Sequence, residues 1–264
     1  MDEIFDFAFL VMRRHAGRFI RVYLIAIAVC LPINIAYLFW HQYARESKDF
    51  FSYWHLGIIL LLFIERSIMT VPLVLLNGNL LFDHKPAFRE LLNEVPRILP
   101  RFIWQQAVIR PIYIFLLFWT FIAPWRSLVI HFFKSEVFLL ERLQKGAHVR
   151  QRLSALTSGQ SERTVGFLLI DFILMFIFIL AASFGWQFLL EIFNIHKLYW
   201  WLDAGSLFKG SLLYAPVTHV FLFIYFVYHS VAKFLYYIDT RSLREGWDVE
   251  LALVRGVRET EEAA

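Results

Sequence analysis

The chain has 264 residues, of which 59% are hydrophobic and 18% charged, with a formal net charge of +4 and a mean hydropathy of +0.57. Soluble domains sit near about 45–50% apolar and about 25% charged, so the composition argues against a water-soluble enzyme, and its high hydrophobicity excludes intrinsic disorder. Twenty-nine phenylalanines and nine tryptophans point to lipid.

The N-terminus, Met1-Asp2-Glu3, is acidic, and its short apolar run ends on Arg13-Arg14 without a small-residue cleavage site. That is the reverse of a secretory signal. The single cysteine, Cys30, lies inside an apolar run, so no intramolecular disulfide is expected. With no fixed-period repeat and no Gly/Ser linker, residues 1–264 read as one integral membrane domain.

A membrane-spanning helix needs about 20 mainly apolar residues. Residues 22–40 supply the clearest run. Residues 56–82 carry Glu65-Arg66, residues 102–123 carry Arg110, residues 164–190 carry Asp171, and residues 210–238 end through Lys233. Residues 125–141 are doubtful, because His131, Lys134 and Glu136 interrupt them and 17 residues reach only about 26 Å. Counting them as a sixth span satisfies the positive-inside rule: 17 of the 26 Lys and Arg then lie on the cytoplasmic side and five outside. Pro124-Trp125 becomes an outer turn, and the Trp and Tyr residues near 40–54, 119–125 and 199–201 align at one interface. The expected fold is therefore an all-α bundle of six spans with both termini inside. Amphipathic juxtamembrane helices sit at each end, and residues 239–264 form a cytoplasmic tail.

Ionisable groups within spans are costly and face the bundle interior or a partner. Counting helical rise puts Glu65, Arg66, Arg110, Lys134 and Glu136 near the midplane, with Asp171 and Lys233 about 8–10 Å from the inner face. The set is close to neutral. It reads either as an ion-pair network fixing helix register or as a polar cavity for an anionic headgroup, an ion or a proton relay. His131, His219 and His229 lack the spacing of a helical zinc site and are expected to be snorkelling or hydrogen-bonded imidazoles. Pro72, Asn77-Gly78-Asn79 and Pro111 suggest kinks or local unwinding, although Pro and Gly are ordinary in such helices.

Two motifs fall on the inner face. Arg150-Gln-Arg152 through Gly159 precedes the fifth span, and Asp239-Thr-Arg241-Ser-Leu-Arg244-Glu245-Gly246-Trp247-Asp248 follows the sixth. Arg241 and Glu245 are i, i+4, as are Arg244 and Asp248, and Gly246 marks a helix end or bend.

Together with Arg13-Arg14-His15 and Ser135-Glu136 through Glu141-Arg142, these motifs make the chain resemble a broad family of bacterial six-span proteins. That family is related to the membrane domain attached to some glycerophosphoryl diester phosphodiesterases. Leu153 stands where many relatives carry Ser. The resemblance implies a multi-pass protein of the bacterial cytoplasmic membrane. The catalytic barrel of such enzymes needs about 250 residues, and the longest loop outside the spans, Arg142 to Arg163, has no room for one. Intramembrane protease signatures are absent as well, so no catalytic, cofactor-binding or metal-binding residue is expected.

Two functions follow. One is a non-enzymatic scaffold or accessory subunit that docks a membrane partner through Arg150, Arg152, Asp239, Arg241, Glu245, Gly246 and Asp248, residues that read equally as a staple joining the inner ends of the fourth to sixth spans. The other is a transporter or lipid-handling protein with a polar intramembrane cavity. In either case the basic inner face attracts anionic lipid headgroups, and no nucleic acid is involved.

Overall fold

In the computed structural model, residues 2–45, 53–81, 88–109, 129–141, 146–192 and 216–246 are described. Every element among them is helical. Their order is α1 (Asp2–Arg14), α2 (Ala16–Arg45), α3 (Tyr53–Leu81), α4 (Phe88–Ile103) running into a π-helical turn (Trp104–Ile109), α5 (Lys134–Leu140), α6 (Gly146–Thr157), α7 (Ser161–Ile192) and α8 (Pro216–Glu245).

Four stretches are long and apolar enough to cross a membrane: Ala16–Tyr37, Leu60–Leu81, Ser161–Ala181 and His219–Glu245. They match four of the six expected spans. Residues 110–123 of the third expected span lie outside the described residues, as do Arg110 and Pro111. The described part of the expected span 125–141 is not one continuous helix, because a turn at His131–Phe133 precedes the seven residues of α5.

α8 is the hub, packing against α1, α2, α3, α6 and α7. Its apolar window is 67% buried, whereas that of α7 is 11% buried. α7 is apolar on every face, and Leu169, Phe172, Ile173, Phe176, Ile177, Phe184, Phe188 and Ile192 are exposed. In water such a surface would aggregate; in lipid it meets its own kind.

α1, α7 and α8 close on one another through aromatic rings. Phe167 of α7 stacks on Tyr236 of α8 with centroids 5.1 Å apart, and Phe5 of α1 stacks on the same Phe167 at 5.0 Å. α1 is amphipathic, as expected. It buries Phe5 and Ala8 and leaves Phe7, Phe9 and Leu10 exposed, and the break to α2 falls at His15, whose carbonyl accepts the amide of Arg18 at 2.9 Å.

α3 runs without interruption through Pro72 and Asn77-Gly78-Asn79, so no unwinding occurs there. Gly246 ends α8 with φ +63°, a left-handed conformation that glycine adopts without steric penalty, and its amide bonds back to Ser242 O at 3.1 Å. The expected helix end is thus where the sequence placed it. Gly159, just after α6, is also left-handed, with φ +71°.

Candidate functional site

Among the described residues, the expected intramembrane charges make their contacts in two groups. Glu65 of α3 pairs with His219 of α8, with Nδ1 to Oε2 at 2.7 Å and both side chains almost fully buried. The other Glu65 carboxylate oxygen has no hydrogen-bond partner. Arg66, the next residue, lies about 100° further round the helix and points elsewhere: its Nη2 donates to His229 Nε2 at 3.0 Å. The ten residues from His219 to His229 span about 15 Å, and Phe223 is fully buried between them. Adjacent in sequence, Glu65 and Arg66 thus have different partners on α8.

His229 continues the second group. Its Nδ1 lies 2.7 Å from Asp171 Oδ1 on α7. Tyr225 donates its hydroxyl to the same carboxylate oxygen, and to the Asp171 carbonyl at 2.7 Å. One turn below His229, Lys233 sits 3.0 Å from Glu136 Oε2 of α5 and donates to Ser135 Oγ at 2.5 Å. Ser135 in turn donates to Glu136 at 2.9 Å. Asp171 and Lys233, expected on a second level, are therefore joined to Arg66 and Glu136. Lys134 opens α5 and is half-buried.

Between these pairs lies a polar cleft of about 30 Å³. Of its lining residues, Arg66 and Thr70 are half-buried, while Gln106, Ser135, Glu136, Ser230 and Lys233 are buried. A water needs about 10–15 Å³, and small-molecule pockets hold about 300–1,000 Å³. The cleft therefore accepts water or the oxygens of an anion, but not a whole substrate. Ser67 and Thr70 return their hydroxyls to their own helix, at 2.7 Å each. The Ser230 hydroxyl is buried without any hydrogen-bond partner.

Comparison with protein-family models, curated proteins and solved structures finds no match to this chain. Its chemistry must be read from the geometry alone.

The motif from Arg150 to Gly159 and the end of α8 are drawn together by Arg152 of α6. Its Nε donates to Glu141 at 2.7 Å, and its two terminal nitrogens grip both oxygens of Glu245, one of them at 2.8 Å. Hydrogen bonding to Glu245, then the bond and charge of Glu141, raise the Arg152 pKa against the desolvation that opposes them. Arg241 joins Glu245 at 2.9 Å, confirming the i, i+4 pair. Tyr237 donates to Glu141 at 2.6 Å. Arg163 Nη2 lies 2.6 Å from Asp239 Oδ2, but that oxygen makes no aligned hydrogen bond, so the contact is an ion pair. Arg150 is exposed, Leu153 is buried in the core, and Asp248 lies outside the described residues.

The sequence reading missed one pattern. Tyr225, His229, Lys233, Tyr237, Arg241 and Glu245 recur every four residues along α8. A four-residue step overshoots a 3.6-residue turn by about 40°, so this polar ladder winds from α7, past α3 and α5, to α6. A four-residue period of polar heads in an apolar helix was the available signal.

Proposed function

We propose that this is a lipid-handling protein of the bacterial cytoplasmic membrane, with six spans and both termini inside, in the family of the phosphodiesterase-associated membrane domain. Its cleft holds the phosphate oxygens of a headgroup. The observation that carries this reading is the buried, unpartnered hydroxyl of Ser230, which lines the same cleft as Arg66. A buried hydroxyl left without a partner costs about 1–3 kcal/mol, a cost that a ligand oxygen accepting from it removes. Arg66 lines the cleft, and with Nη2 committed to His229 it has further donors of its five. The small volume suits the oxygens and leaves the remainder of the lipid outside.

The scaffold reading finds less support. Asp239, Arg241 and Glu245, its proposed docking residues, are engaged by Arg163 and Arg152 of the same chain, which favours a staple over a docking surface.

A charge-assisted hydrogen bond contributes about 1.5–3 kcal/mol. Arg66→Ala should therefore lower retention of phospholipid about ten- to a hundredfold when the full chain is extracted with its membrane and weighed by native mass spectrometry. Arg150→Ala, on the exposed face of α6, should retain lipid normally. Equal lipid occupancy in Arg66→Ala and the parent would sink the reading.

A further inference from the structure

We propose that capture of an oxyanion in this cleft is coupled to protonation of His229, which decides whether Arg66 is held or released. The inference rests on the headgroup reading and adds the proton to it.

The geometry fixes the resting form of the ring. Arg66 can only donate, so His229 Nε2, 3.0 Å from Arg66 Nη2, presents its lone pair. Nδ1 then carries the hydrogen and donates it to Asp171 Oδ1 at 2.7 Å. A neutral ring in this one tautomer satisfies both neighbours. A second proton has only Nε2 to bind, and there it turns an acceptor into a donor facing another donor. The Arg66 bond is lost, while Asp171 keeps the imidazolium.

The charges around the ring support one proton per anion. Arg66 comes from α3, Asp171 from α7 and Glu136 from α5; Tyr225 and Lys233 lie one turn to either side on α8 itself. The π-helical turn adds the neutral Gln106. The other elements packed on α8 place their polar contacts elsewhere: α1 at Tyr228, α2 at Val220 and α6 at Glu245. Arg66 and Lys233 balance Glu136 and Asp171, so the resting cleft is neutral. Protonation makes it singly positive, and an oxyanion bound by Arg66 and Ser230 restores neutrality. The shared ligand chemistry is a phosphate oxyanion, borne by a lipid headgroup or by free phosphate.

The test uses the full chain in phosphatidylcholine nanodiscs. One arm titrates phosphatidylglycerol into the discs and the other adds inorganic phosphate, each between about pH 8 and about pH 5, the range in which histidine changes charge. Affinity should rise as pH falls, by up to about tenfold per pH unit, the slope for one proton taken up per anion. His229→Gln can donate to Asp171 and accept from Arg66 as the neutral ring does, so it should bind weakly with no slope in the phosphatidylglycerol arm. Its slope with inorganic phosphate reports the titration of phosphate alone. His229→Asn serves if the Gln variant fails to give a monodisperse protein. A parental slope in the folded variant overturns the coupling. A flat parental profile with binding lost in Arg66→Ala overturns the coupling and leaves the headgroup reading standing. Absence of binding to either probe at every pH overturns both.

Discussion

Lys233 has three donors. One meets Glu136 at 3.0 Å and another Ser135 at 2.5 Å, and the ring of Phe132 lies 5.2 Å from the nitrogen. Glu136 is 1% exposed, so removing its cation leaves a buried carboxylate uncompensated. Such a loss costs about 3–5 kcal/mol, whereas replacing both partners by apolar groups is close to neutral. Lys233→Met should therefore lower stability to denaturant in detergent by about that amount, and Lys233→Met with Glu136→Leu should recover most of it. A double variant as unstable as the single one would show that the pair has no such compensating role. At this scale Glu65, Glu136 and Lys233 were legible as charges inside apolar runs, and they are buried. The sequence could not pair them, because the rotation of α3, α5 and α7 about α8 depends on packing that no local pattern encodes. Glu65 is the clearest case: it shares a dipeptide with Arg66 but has a different partner, about 15 Å along α8 from that of Arg66.

α6 was legible only as a basic loop. Its helix buries Leu153 and Leu156, and its register is fixed by Arg152 bridging Glu141 after α5 and Glu245 at the end of α8. These side chains are 15–27% exposed, so solvent screening weakens the bridge. Arg152→Ala should cost about 1 kcal/mol and raise hydrogen exchange across residues 146–157 while leaving that of α2 unchanged. A uniform rise over the whole chain would mean that the staple supports the fold globally. α4 escaped the sequence reading for another reason. Pro96 and Pro100 lie within it and argue against a helix interior, yet Leu91 and Phe102 are buried on one side while Glu90, Arg97 and Arg101 remain outside. Amphipathic burial against α3 overrides the local preference. By contrast α2, α3, α7 and α8 were legible almost to their ends, because a long apolar run has only one economical conformation in lipid.

Over the whole molecule, the position of residues 142–163 relative to the membrane decides between five spans and six. Cys30 is fully buried, and Cys30→Ser gives a background without thiols. In that background Ser154→Cys, on the exposed face of α6, should react with a membrane-impermeant maleimide only after the cytoplasmic side is opened. Ser206→Cys, in the loop that the basic-residue count places outside, should react in intact cells. Labelling of Ser154→Cys from outside would remove the span at 125–141 and reverse the inner face. The ladder on α8 has a further bearing on how this protein can diverge. The rungs meet neighbours from several other elements, so one residue inserted between Tyr225 and His229 would turn every lower rung by about 100°. His229, Lys233, Tyr237 and Glu245 would together lose Asp171, Glu136, Glu141 and Arg152. Homologous chains are thus free to exchange apolar side chains along this helix but not to change its length, and an alignment that needs a gap there is aligning a different protein.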